Sequence, residues 1–133
     1  MFGTFDISTS GMMAQRVRLT AIASNLANLN TTENAAGQPA PYQREMVLMA
    51  AGADGKGTPG VRVTNVVKDP SPPRLVYDPT HPDAGTDGYV KYPNVDQATE
   101  MVDAIDATRA FQANVTAFES TKSIMASSLR ILA

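Results

Sequence analysis

Residues 19–33 read LTAIASNLANLNTTE, a stretch with three asparagines and no charged side chain before Glu33. Leu19, Ile22, Leu26 and Leu29 recur in steps of three and four. Extended toward the N-terminus, the same rhythm takes in Phe5, Ser8, Met12 and Gln15, and residues from about 5 to 30 contain no proline and one glycine. This spacing predicts a long helix with a heptad seam on one side. The positions facing away from that seam are Met13, Ala14, Val17, Thr20, Ala21, Ser24, Ala27 and Asn28, and none is charged. A helix face in water normally carries Lys and Glu, so a small, neutral outer face predicts a helix covered on more than one side. Asn25 falls on the flank of the seam and Asn28 on its outer face. There, amides are expected to bond neighbouring subunits without the desolvation cost of a charge, while Asn30 is expected to help end the helix.

The last third behaves alike. Residues from about 95 to 132 lack glycine and proline, and Met101, Ala104, Thr108, Phe111, Val115, Phe118, Lys122, Met125, Leu129 and Leu132 follow the three-four rhythm. Asn94, with Gln97 three residues on, reads as its N-cap. A helix of this span is about 55 Å long at ~1.5 Å per residue, longer than a compact domain of this size is wide. Between the helices lie all nine prolines and most of the glycines. Within that region YQREMVLMA (42–50) and GVRVTNVVKD (60–69) carry strand-like content on either side of a glycine-rich turn, which predicts a β-hairpin. The following DPSPPRLVYDPTHPDAGTDGYVKYPN (69–94) reads as an extended, proline-stiffened path. The expected fold is therefore mainly α with a small β insert. The organisation is an N-terminal helix (1–32), a hairpin and extended middle (33–93) and a long C-terminal helix (94–133), with the two helices pairing as a coiled coil.

Chemistry is sparse. The chain has no cysteine, and its net charge of −2 at pH 7 provides no basic patch for phosphates. Nucleic acid is thus not an expected partner, and no apolar run is long enough for direct membrane insertion. The first residues lack the features of a cleaved secretory signal, so export would need another route. Asp78, His81, Asp83 and Asp87 cluster in YDPTHPDAGTD, yet their spacing fits neither a helix-borne His pair nor an EF-hand loop, and Asx-turns are the expected role. Gly55 and Lys56 imitate the Gly-Lys of a P-loop, but Ala50 and Gly57 stand where that motif needs Gly and Ser or Thr, which leaves a hairpin tip. No catalytic, cofactor or metal site is expected.

The segment IASNLANLNTT (22–32) resembles the Asn-Leu-Ala-Asn signature of bacterial flagellar axial proteins, the family of rod, hook and junction subunits. GVRVTNVVKDPSPPRLVYDPTHPDAGTDGYVKYPNVD (60–96) and EMVDAIDATRAFQANVTAFESTKSIMASSLRIL (100–132) extend the resemblance to the family's short rod proteins over nearly the whole chain. The resemblance implies a structural subunit without catalysis, stacked helically with related rod subunits and with copies of itself into the periplasm-spanning shaft. It implies passage through the flagellar type III export apparatus, without a cleaved signal peptide, and an inner layer of paired terminal helices. Asn25, Leu26, Ala27 and Asn28, with Phe111, Gln112, Ala113 and Asn114, match inner-layer positions. Ala113 apart, these residues and the seam residues Leu19, Ile22, Leu29, Val115, Phe118, Met125, Leu129 and Leu132 form the expected assembly interface. The competing expectation is a soluble helical adaptor or binding module that closes into a small oligomer through the same heptads. Symmetry separates the two, since a closed dimer saturates and a rod contact continues.

Overall fold

The computed structural model describes residues 2–53 and 58–132, the side chains of Phe2, Ile131 and Leu132 excepted. The elements in order are α1 (Phe2–Ala27), β1 (Glu45–Ala51), β2 (Val61–Lys68), β3 (Arg74–Tyr77), β4 (Tyr89–Tyr92) and α2 (Gln97–Leu132). Two long helices and two small antiparallel sheets make the chain mainly helical with a β insert.

The first hairpin forms where the sequence places it. β1 pairs with β2 from Glu45↔Lys68 to Ala51↔Val61, with the register shifting between Leu48 and Met49. The segment read as a proline-stiffened path instead contains a second hairpin, with β3 paired to β4 from Arg74↔Tyr92 to Tyr77↔Tyr89. Its strands have four residues each, too short for alternation to be legible between flanking prolines. Cross-strand contacts hold it: Val90, opposite Val76, is fully buried, and the Tyr77 and Tyr89 rings meet edge-on at 5.2 Å.

Both helix boundaries differ from expectation. α2 starts after Asp96, not Asn94, because Asp96 Oδ2 accepts from the Thr99 backbone amide at 3.2 Å and from its hydroxyl at 2.5 Å. These two bonds hold the Asp96 carboxyl below its ordinary value. α1 stops at Ala27, where Asn28 and not Asn30 ends it: the Asn28 amide donates to the Ser24 carbonyl at 2.9 Å, and its Oδ1 accepts from the Thr31 hydroxyl at 3.1 Å.

The helices run antiparallel, with Phe5 against Phe118 (ring centroids 4.8 Å), Gly11 against Asn114, Arg18 against Asp103 and Asn25 against Glu100. Gly11 suits this approach, since a Cβ there would lie 2.8 Å from Asn114 Oδ1 and the Asn114 side chain would have to move. Half of each expected seam is displaced by one residue. In α2, Ala104, Phe111, Phe118 and Met125 turn inward as the spacing predicts, but their companions are Glu100, Ala107, Asn114, Thr121 and Ser128. Met101, Thr108, Lys122 and Leu129 lie exposed. In α1, Gly11 and Asn25 are buried, whereas Met12 and Leu26 are half-buried. Small side chains bring the two helices close, and larger ones are displaced to the flanks.

The β1–β2 hairpin packs on α1 from a second side. Ser10 fastens it, with its Oγ accepting from the Val61 amide at 3.2 Å while donating to the Ile7 carbonyl at 2.8 Å. Ala14 and Ala21, read as outward-facing, are buried in this arrangement. α2 is the longer helix, 36 residues against 26, and with this pairing its last ten or so residues run about 15 Å past the start of α1 at ~1.5 Å per residue.

Candidate assembly interface

A polar junction fixes how the helices and the first hairpin meet, and so decides which faces remain open. Asn25, exposed at 1%, uses its whole side-chain amide. Its Nδ2 donates to the Glu45 carbonyl at 3.0 Å and to Glu100 Oε2 at 3.1 Å, while its Oδ1 accepts from the Glu45 amide at 2.8 Å and the Tyr42 hydroxyl at 3.0 Å. One residue thus ties the last turns of α1 to the start of β1 and the first turn of α2. Tyr42 also shares a 3.1 Å bond with Ser24, and burial raises its phenol above the ordinary value.

Glu100 is fully buried, and Arg44 Nε pairs with its Oε1 at 2.5 Å. Arg44 also reaches Asp103 at 3.5 Å, and Arg18 binds the other Asp103 oxygen at 2.7 Å. A buried carboxylate is tolerable because each oxygen has a donor. Glu100, Arg44 and Tyr42 escape the sequence reading because their partners lie far along the chain. The available signal was Glu100 itself, one position before Met101 and four before Ala104.

Among the residues expected at the interface, Ile22 and Asn25 are buried within the subunit. Leu19, Leu26, Asn28, Leu29, Phe111, Asn114, Val115, Phe118 and Met125 are half-buried. Ala27, Gln112 and Leu129 are exposed, and the Leu132 side chain lies outside the described residues. The amides of Asn25 and Asn28 are occupied within the chain, so the large apolar side chains are what this surface offers a partner. On the helices, Ile7 apart, they form three groups: Met13 and Val17 on α1; Met101, Val102 and Ile105 near the start of α2; and Ile124 and Leu129 on its overhang.

The Asp/His segment is built of turns. Asp78 Oδ1 accepts from the Thr80 amide and hydroxyl at 3.1 and 2.7 Å, which holds its carboxyl low, and Asp87 Oδ1 accepts from the Tyr89 amide at 3.3 Å. His81 Nδ1 accepts from the Asp83 amide at 3.1 Å, and Asp83 takes the Thr32 hydroxyl at 2.7 Å. Hydrogen bonding to Asp83 and its nearby charge raise the Glu33 carboxyl. Among the described residues no group of His, Cys, Asp and Glu is placed to hold a metal ion. Gly55 and Lys56 lie outside the described residues.

Both helical ends of the chain match families of one class. Residues 5–35 fit the model described as "Flagella basal body rod protein", and residues 86–131 fit that described as "Flagellar basal body rod FlgEFG protein C-terminal". Similar over nearly full length are flagellar basal-body rod proteins FlgC from three bacteria. That of Bacillus subtilis strain 168 is 40% identical, that of Yersinia enterocolitica 42% and that of Salmonella typhimurium 40%, each over 98% of this chain and 97% of the relative. The chain belongs to the flagellar basal-body rod protein FlgC family. It is a structural subunit of the basal-body rod and not an enzyme.

Proposed function

We propose that the chain enters the rod as a subunit of a helical stack made with related rod proteins and with copies of itself. In that stack, residues 1–32 and 94–133 form an inner layer of paired helices packed as a coiled coil, and residues 33–93 form an outer layer. The observation that carries this reading is the inequality of the helices. The seam residues Phe111, Phe118 and Met125 continue along α2 into an overhang that α1 does not reach, where Ile124 and Leu129 are exposed. A seam that outruns its partner calls for a second partner, and in a rod that partner is a neighbouring subunit.

The stack spans the periplasm, and the chain reaches it unfolded through the flagellar type III export apparatus, without a cleaved signal peptide. Two features support this route. The chain has no disulfide to form, and its buried apolar core among the described residues consists of Ala14, Ala21, Ile22, Val90, Val95 and Ala107, which costs little to expose during threading. No helix among the described residues is long and apolar enough to cross a membrane.

The test is complementation. In a strain lacking its own rod subunit of this family, the chain is expected to restore motility and to co-purify with isolated basal bodies. Restored motility without the chain in the basal bodies would refute the reading, and a saturating dimer of the purified chain that never enters them would favour the closed adaptor.

A further inference from the structure

A groove of about 490 Å³ runs between α1 and the first hairpin, with Met13, Ala14 and Val17 on one wall and Val61 and Val63 on the other. Met13 is 67% exposed, although the groove around it is apolar. We propose that this groove receives the overhanging end of α2 from a second copy of the chain, Met125 and Leu129 of one subunit lying against Val17 and Met13 of the next. The inference rests on the rod reading and assigns the contact between copies.

Three observations converge on that occupant. Met13 and Val17 are four residues apart, as are Met125 and Leu129, so the two rows match turn for turn when the helices lie antiparallel. Met125 belongs to the row of α2 that α1 covers further along the helix, and Leu129 beside it is turned outward, so docking would cover the part of α2 that α1 does not reach. Ser123, Ala126 and Ser127 beside that row allow a close approach. Charge agrees as well: with Leu129 against Met13, Arg130 lies toward Asp6, which lines the groove, and residues 120–132 carry no acidic side chain. Arg62, which also lines the groove, is turned to the Ala51 and Gly52 carbonyls, both at 3.0 Å.

A subunit cannot fill its own groove with its own tail. α2 is one unbroken helix, and the antiparallel pairing sets Met13 opposite residues near position 110, so Leu129 of the same chain lies on the order of 28 Å further along at ~1.5 Å per residue. Tail on groove is a heterologous contact. Each acceptor keeps a free tail, so the assembly stays open.

The absence of cysteine makes the contact directly testable, because introduced thiols have no competitors. Met13→Cys and Leu129→Cys, each at an exposed position, are made singly and together, then oxidised both in isolated basal bodies and in the purified chain at high concentration. The double variant is expected to give a ladder of dimers, trimers and longer products. The two single variants mixed are expected to stop at dimers, and either alone to give at least ~10-fold less product, since a disulfide needs Cα atoms within about 7 Å. Asp6→Lys in the double variant is expected to cut the ladder about threefold, as for an exposed ion pair, and Arg130→Glu to restore it. Equal cross-linking by either single variant, or double-variant basal bodies in a motile strain without a ladder, would overturn the groove assignment and leave the rod reading standing. Basal bodies without the chain in a motile strain would overturn the rod reading itself.

Discussion

Replacing Asn25 by aspartate changes the size of the side chain hardly at all and its chemistry completely. The new carboxylate oxygen would stand where Nδ2 now lies, 3.1 Å from Glu100 Oε2. Two like charges at that separation repel by about 5 kcal/mol at an effective dielectric constant of ~20. The pair would take up a proton instead. Holding a carboxyl with an ordinary value of ~3.9 protonated at pH 7 costs about 4 kcal/mol, which caps the electrostatic penalty. The protonated acid can still donate to Glu100 but leaves the Glu45 carbonyl without its side-chain donor, adding about 1 kcal/mol, while its O–H, a stronger donor to the Glu100 carboxylate than the amide it replaces, offsets a similar amount. The net cost at pH 7 is about 4 kcal/mol, a large part of the stability of a small domain. The sign with pH follows from linkage. The introduced group has a folded value raised above its unfolded one, so the native state binds the extra proton, and the penalty grows as pH rises and fades as it falls. Urea unfolding followed by circular dichroism is expected to give a gap between parent and Asn25→Asp that narrows by about 2–3 kcal/mol from pH 7 to pH 5, at ~1.36 kcal/mol per unit. Asn25→Ala, which removes the same bonds without adding charge, is expected to show no such narrowing. A cost below about 1 kcal/mol at pH 7, or a gap independent of pH, would refute the placement of Asn25 against Glu100.

Gly11→Ala is expected to destabilise the chain in thermal unfolding, because the ~1 kcal/mol of helix propensity gained is outweighed by about 1–3 kcal/mol of overpacking against Asn114; Asn114→Ala in the same chain is expected to reverse the sign. Leu129→Asp is expected to abolish swarming motility while leaving the unfolding of the purified chain within about 0.5 kcal/mol of the parent, since Leu129 is 65% exposed. Asp96→Ala is expected to speed amide exchange in the first turn of α2 at neutral pH. Because the Asp96 carboxyl is held below its ordinary value, its contribution is present above that value and lost as pH falls through the folded one, so the two chains are expected to converge in acid.

The elements whose stabilising contacts are local were legible in the sequence. Long stretches free of proline, with glycine only at Gly3 and Gly11 of the first, carry both helices, and the strand-like runs 42–50 and 60–69 overlap β1 and β2. What was not legible depends on distance in sequence or on a choice that hydrophobicity leaves open. The second hairpin rests on strands of four residues and on bonds such as Asp78 N to the Gly88 carbonyl, at 3.0 Å across ten positions. Asn25 was read as flanking the seam and turned toward neighbours, but Tyr42, Glu45 and Glu100 occupy it, and nothing in IASNLAN indicates them. The alternative seam rows of α2, through Met101 and Leu129 or through Glu100 and Ser128, share Ala104, Phe111, Phe118 and Met125. Periodicity fixes the shared half, and the greater hydrophobicity of the first row favours the wrong companions.

That displaced seam also accounts for the uncharged outer face of α1. With Met and Leu side chains between them the helices would stand further apart, and Asn25 could not reach Glu100. The close approach over Gly11 and Ala107 is therefore what makes the polar junction possible, and the junction in turn fixes α1 against β1. Ala14 and Ala21 then lie inward, with the β1–β2 hairpin packed on α1, so part of the neutral face is covered within the subunit. Met13 and Val17 gain no such cover, and on α2 the row through Met101 and Leu129 is turned outward by the same one-residue shift. Burying each of these large side chains against a partner is worth about 1.5–3 kcal/mol, stabilisation that a row of Glu and Lys would forgo. A subunit that packs its small residues inward and keeps its large apolar ones outside gives up stability as a monomer that burial against a neighbour would return.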